Sequence, residues 1–228
     1  TLGVGTGAIS NTAVGASVAV MVNDSDVKAS LSGDAKKEKT IEADGISVKA
    51  DNAYNGSAKD SDSDSTAKTV AVGFAAGAAK FAGSGSVTVN VISQKADASI
   101  GKGNYQAGNQ GVDVDAKNTA RLFGLAGGLG INLGGTGIGA AADVQTYKGH
   151  TYASIEDGAK LSKASSVRVN AESEEDLTSV AATIATGDTF AGAGAAGLHV
   201  ISTDTKAYIG NQEDKEITEA GKAELIEA

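Results

Sequence analysis

The stretch Gly83–Ile100, GSGSVTVNVISQKADASI, decides how the rest of the chain is read. It holds a lead-in of small residues, an alternating strand, a polar break, and a short ending of the form Ala-x-Ile. The ending recurs as Ala29-Ser30-Leu31, Ala98-Ser99-Ile100, Ala153-Ser154-Ile155 and Ala207-Tyr208-Ile209. The first step between endings is longer than the next two, which are nearly equal. A recurring period of this size, roughly 55 residues, marks a repeat architecture, in which each unit buries its apolar row only by stacking on the next.

Aligned on that ending, Val20, Val89, Val144 and Leu198 fall nine residues before the triplet alanine. Val18, Val87, Ala142 and Ala196 lie two residues earlier, and Val22, Val91, Thr146 and Val200 two residues later. Apolar positions that repeat every second residue predict a strand with one buried face. The valines are expected on that inner face. Ala19, Thr88, Asp143, Gly197, Met21, Asn90, Gln145 and His199 are then expected on the solvated one. On this reading Val89→Asp places a charge in the core and destabilises the chain strongly.

Glycine-rich lead-ins (Gly15-Ala16, Ser84-Gly85, Gly139-Ala140, Gly194-Ala195) read as corners or close backbone approaches. The polar breaks Asn23-Asp24-Ser25, Ser93-Gln94-Lys95, Lys148-Gly149-His150 and Ser202-Thr203-Asp204 read as turns. A second phrase, Ile46-Ser47-Val48-Lys49-Ala50, returns as Val112–Ala116 and Val167–Ala171, with three extra residues in the charged loop Gly33–Gly45 of the first unit. Its place in the fourth unit is Gly221–Leu225, read as strand in preference to a short charged helix. With two strand rows about 25 residues apart, each unit predicts about two coils. The chain then makes seven or eight coils, roughly 35–40 Å of rod at ~4.8 Å per coil. The return segments Thr119–Gly139 and Ser179–Gly194 read as weak strands, and Asn55–Thr66, NGSAKDSDSDST, as a projecting polar loop.

The expected fold is therefore all-β: one parallel β-helix, or β-solenoid, of about four repeats of roughly 55 residues each. The repeats run over 1–70, 71–131, 132–187 and 188–228. The competing architecture is an antiparallel meander.

Composition agrees with a thin core. The 228 residues include 31 Gly, no Pro, no Cys and no Trp, with 4% aromatics. A net charge of −9 spread along the chain disfavours nucleic acid and anionic membrane surfaces, which need clustered Lys and Arg. The absence of cysteine excludes a disulfide framework and a thiolate zinc site. No run reaches the ~18 apolar residues of a membrane-spanning helix. The chain starts at Thr1 in mid-pattern and reads as a piece of something longer.

Chemical motifs are weak. Gly192-Ala-Gly194-Ala-Ala-Gly197 matches Gly-x-Gly-x-x-Gly, but it leads into the strand Leu198–Ile201, and a dinucleotide site needs a helix there. Asp60-Ser61-Asp62-Ser63-Asp64 resembles the start of a calcium loop, without the required glycine at position six or the glutamate at position 12. His199 is expected exposed in a strand and His150 in a turn, neither within a catalytic or metal motif. Asp113 and Asp115, with Lys49 and Arg168 in neighbouring units, read as charge alternation on an outer face. No catalytic, cofactor-binding or metal residue is predicted, and no cofactor.

The phrases GSVTVNVISQKADASIG, GVDVDAKNTA and AAGLHVISTDTKAYIGN resemble the long repeat regions of leukotoxin-type filamentous adhesins of Gram-negative bacteria, exported by two-partner secretion. The resemblance covers nearly the whole chain. The third unit departs from it, with Asp143, Gln145 and Thr146 where apolar or Asn residues are usual. It implies a secreted or surface-exposed solenoid shaft that mediates or spaces attachment to host or neighbouring cells. The partners it implies are a surface receptor, protein or glycan, and an outer-membrane export protein. The alternative is a polysaccharide-acting enzyme on a β-helix. That alternative calls for a groove of clustered carboxylates and aromatic platforms, whereas the five Tyr and four Phe are scattered.

Overall fold

Alternation of period two runs almost without interruption through this chain, and the backbone follows it into strand after strand. The computed structural model describes residues 2–33, 39–54, 67–210 and 224–226. The strands are β1 (Leu2–Leu31), β2 (Thr40–Tyr54), β3 (Ala67–Ile100), β4 (Gly103–Asn132), β5 (Thr136–Ile155), β6 (Ala159–Ser162), β7 (Val167–Thr186), β8 (Phe190–Ile209) and β9 (Glu224–Ile226). Among the described residues there is no helix, and every strand pairing is parallel. The all-β, parallel part of the expectation holds, and the antiparallel meander does not.

The pairing offset differs from the expected two coils per unit. Val89 pairs with Val20 and Val144, and Val144 with Leu198. Val114 pairs with Val48 and Val169. One return of the chain to the same place thus takes a full repeat, as from Thr88 to Asp143, and more between Leu31 and Ile100. The segments read as weak return strands are the ends of the long strands β4 and β7, the turns after them, and the first residues of β5 and β8. The chain makes about four broad passes, so the stack is only about 15–20 Å high at ~4.8 Å per pass.

One pass shows the plan. Residues 81–100 run out as a long arm, and the chain turns at Gly101-Lys102. A short arm follows in the first residues of β4. Gly111, at φ +72°, makes a bulge that a side chain would strain. Residues 112–132 then run back, and Leu133-Gly134-Gly135 closes the narrow end. Twenty residues of strand at ~3.3 Å make each long arm about 65 Å. The arms of successive passes build two facing sheets, with the short arms across the wide end.

The residues inside are not the expected ones. In β3 the buried positions are Ser84, Ser86, Thr88, Asn90, Ile92, Gln94, Ala96, Ala98 and Ile100. Val87 and Val91 face outward, 37% and 38% exposed, as do Val18 and Val20 in the first pass at 64% and 51%. Asp143 and Gln145 are fully buried, against their expected solvated place. The polar breaks and glycine lead-ins are not turns or corners: both continue the strand, so inner and outer sides keep one parity from Ala82 to Ile100. His150 accordingly lies within β5. Val89→Asp, on the outer side, is therefore not a core substitution.

The interior changes with the width of the gap. At the wide end, Ile46, Val48, Ile100, Tyr105, Val112, Val114, Ile155 and Leu161 pack with alanines. The Tyr105 hydroxyl donates to Gly101 O at 2.8 Å and accepts from Gly33 N–H at 3.0 Å, which ties two turns together. In the middle, amide side chains reach across to the facing backbone. Asn52 Nδ2 donates to Lys95 O at 2.9 Å, Asn118 Nδ2 to His150 O at 2.8 Å, and Gln145 Nε2 to Thr178 O at 2.7 Å. The Asp143 carboxylate accepts from the Thr88 and Ser179 hydroxyls and from Gln145 Nε2 at 2.9 Å. Gly124 leaves it room: a Cβ there would overlap the carboxylate. Toward the narrow end the inside is mostly Gly, Ala and Ser, with Thr183 and Asn132 beside them. A Cβ at Gly130 would overlap Ile138 O, and one at Gly73 would overlap Gly85 O.

The repeat phase sets Gly221–Leu225 in the place of the Val112 phrase. Of its residues the structure describes Glu224 and Leu225, in β9, which pairs with β6 instead, Leu225 opposite Leu161. The segment Asn55–Thr66 lies outside the described residues.

The narrow gap can be tested with two glycines. Gly130→Ala is expected to destabilise by about 1–3 kcal/mol, since a backbone oxygen must move, while Gly85→Ala, whose Cβ meets nothing, is expected to be neutral or up to ~1 kcal/mol stabilising. Urea unfolding of both variants checks the contrast, and equal effects would refute the narrow gap. A second expectation concerns Tyr147, whose phenol is pushed up to about 12 by burial, with Glu175 adding to the effect. A phenol held protonated by the fold contributes stability that is complete below pH ~10 and is lost as the pH climbs through the folded value. Tyr147→Phe should therefore lose less stability than the parent between about pH 9 and pH 11.5, in urea titrations at each pH. Tyr105, also raised by burial, is present in both proteins and cancels in the difference.

Candidate functional site

Because each pass repeats the last in register, every outward side chain belongs to a column running across the passes. At the wide end of the β1–β3–β5–β8 sheet these columns are polar. One contains Asp26, Lys95, His150 and Asp204, and the next Lys28, Asp97, Tyr152 and Lys206. A third, Ser30, Ser99, Ser154 and Tyr208, is small enough in its middle to leave a groove. The groove has a volume of about 90 Å³ and is lined by Lys28, Asp97, Ser99, Tyr152, Glu156 and Tyr208.

The groups around it are tied to one another. Lys95 Nζ lies 2.7 Å from Asp97, and the bond to that carboxylate raises the lysine's pKa. The Tyr152 hydroxyl donates to Asp204, and Lys206 Nζ sits 3.0 Å from the same carboxylate and 5.4 Å from the Tyr152 ring centroid. The bond from Tyr152, then that from Lys206, holds Asp204 below the usual carboxylate range. The same bond raises the phenol of Tyr152, with burial second. His150 stands edge-on to Tyr152, ring centroids 5.8 Å apart. The arrangement supplies phenol edges, two carboxylates and a lysine around a slot the size of a small polar group.

The remaining sequence candidates are dispersed. The glycine motif Gly192–Gly197 lies wholly within β8, with no helix after it. His199 is exposed in the last pass, but on the inner parity, opposite the buried Gln145, and not on the outer face expected for it. Asp60–Asp64 lies outside the described residues. Among the described residues no group of three or more His, Cys, Asp or Glu could hold a metal ion. Among them, too, no helix is long and apolar enough to cross a membrane. The reading of Asp113 and Asp115 as alternating outer charge holds. Lys49 Nζ is 3.0 Å from Asp113, Arg168 3.6 Å from it, and Asn170 Nδ2 donates to Asp115 at 2.7 Å. Such exposed pairs contribute little individually.

Sequence reasoning missed the Tyr152–Asp204–Lys206 cluster. Its signal was the repeat offset itself, which sets Tyr152 opposite Lys206 and His150 opposite Asp204. Comparison of the chain with family models, with curated proteins and with solved structures finds no match.

Tyr152→Phe removes the first of the two bonds that hold Asp204 down, so the carboxylate's pKa is expected to rise toward its usual value. Carboxyl carbon shifts followed through an acid titration read this directly; an unmoved midpoint would assign the effect to Lys206 alone.

Proposed function

We propose that the chain is a segment of a parallel β-solenoid shaft, about four coils of roughly 55 residues each, in a large adhesin secreted by or displayed on a Gram-negative bacterium. Its role is structural and adhesive: it mediates or spaces attachment to host or neighbouring cells. The observation that carries this reading is the in-register stacking of Val20, Val89, Val144 and Leu198, together with its partner rows across four passes. Such an array projects chemically repeating columns along a rigid axis, which suits extension and multivalent surface contact. The resemblance of the repeat phrases to leukotoxin-type filamentous adhesins supports the same reading and supplies the extracellular setting and the outer-membrane export partner. The chain acts by contact and does no chemistry.

The fluorescently labelled 228-residue chain is expected to bind epithelial cells saturably, with displacement by excess unlabelled chain. Binding no greater than that of an unrelated acidic all-β protein would sink the adhesive part and leave spacing. Release of reducing ends from a panel of polysaccharides would overturn the reading in favour of an enzyme.

A further inference from the structure

The groove beside Tyr152 is assembled from all four passes, and its walls carry groups that the fold leaves unused. Its floor is Ser99 and Ser154, both nearly buried and paired in register. The same column carries Tyr208 in the fourth pass, which closes the groove at that end. Asp97 and Tyr152 stand two residues before the floor, and Glu156 stands two residues after it. Four residues at ~3.3 Å set these walls about 13 Å apart between backbones. The volume of about 90 Å³ is far below the ~300–1,000 Å³ of a site that engulfs a whole small molecule, so the groove takes one ring or the edge of one.

Three charged groups on the walls are not fully used within the chain. Lys28 is the strand neighbour of Asp97, yet it forms no ion pair among the described residues. Asp97 gives Oδ2 to Lys95 at 2.7 Å, and its Oδ1, buried beside the groove, has no hydrogen-bond partner. The carboxylate torsion of an aspartate is soft, so a modest turn offers that oxygen to a ligand. The Glu156 carboxylate takes no hydrogen bond or ion pair among the described residues either.

These groups narrow the chemistry of an occupant. A simple cation would be set against Lys28, and a simple anion against Asp97 and Glu156. A planar amide offers both a donor and an acceptor, but it is too short to reach both walls. A sugar ring meets every requirement. Hydroxyls around its rim donate to carboxylates and accept from a lysine, and its C–H faces lie against phenol rings. We propose that the groove binds one neutral sugar residue at the end of a glycan chain. Asp97 and Glu156 accept from hydroxyls on opposite sides of the ring, Lys28 donates to a third, and Tyr208 limits the site to a single ring. This rests on the adhesive reading above and names the chemistry of its receptor. One such contact is weak, and strong attachment needs many of them at once.

The test is saturation-transfer NMR of the whole chain with the methyl glycosides of galactose, glucose, mannose and N-acetylglucosamine. At least one is expected to bind saturably with a Kd of roughly 1–10 mM, the range open to a ligand of this size. Ser154→Tyr fills the floor with the side chain that the same column already carries at Tyr208, so circular dichroism and melting should be unchanged while the glycoside response is lost. Asp97→Asn should weaken binding about 10-fold, as loss of a bond to a charged group does, while Asp113→Asn on the other sheet should leave it unchanged. Methylguanidinium or acetate binding in place of every glycoside overturns the proposal in favour of a cation or an anion site. Glycoside binding undiminished in Ser154→Tyr puts the sugar elsewhere and overturns it equally. A chain that binds cells but no glycoside overturns this inference alone, and a chain that binds a glycoside but no cells overturns the adhesive reading alone.

Discussion

The separation of the two facing sheets constrains everything else in this fold. Face-to-face sheets ordinarily stand about 10 Å apart, with interdigitating aliphatic side chains between them. Here the gap is too narrow for that over most of each arm. Near the closed end it is filled mostly by Gly, Ala and Ser, and a Cβ at Gly73 or Gly130 would overlap the opposite carbonyls. Farther along it is bridged by single amide side chains whose donors reach the other sheet's backbone, as Asn52, Asn118 and Gln145 do. Where the short arms wedge the sheets apart, Ile100, Val114, Tyr105 and Ile155 form the larger apolar core, and Ile92, Leu122 and Tyr147 form a smaller one in mid-arm among the amides.

A narrow interior has a second effect. The branched side chains that favour strands must go somewhere, and the outside is the only place with room. The molecule is therefore inverted along its length, apolar inside and charged outside at the wide end, small or polar inside and apolar outside toward the narrow one. The polar columns around Tyr152 and Asp204 lie at the other end of the same sheet.

The period, the strands and the parallel stacking were legible in the sequence because each rests on the backbone pattern and on the recurrence of Ala-x-Ile. The side was not. Valines alternate with Thr88 and Asn90, and burial of the more apolar set is the ordinary expectation. That expectation placed the interior on the wrong parity. The information was present: Ala98 and Ile100 are unmistakably core, and counting back by twos reaches Ala96, Gln94, Ile92, Asn90 and Thr88. Reading Ser93-Gln94-Lys95 as a turn broke the count, and a slip of one residue exchanges the two faces completely. The number of coils failed for a related reason, since a long bent arm and two short strands have the same alternation. The cluster at Tyr152 joins residues of adjacent passes, so no local phrase announces it, and only the offset that aligns Ala153 with Ala207 sets Tyr152 opposite Lys206.

The breadth of each pass has a mechanical side. The ladder hydrogen bonds point along the stack axis, so a pull along that axis loads them one after another, whereas a pull along the arms shears a whole row together. A pass that peels away surrenders about 5 Å of stack height and frees about 55 residues of chain, roughly 180–190 Å at full extension. A filament built this way holds roughly forty times its own height in reserve at each step. Under drag it can lengthen greatly by shedding a single layer while the layers beneath keep their register.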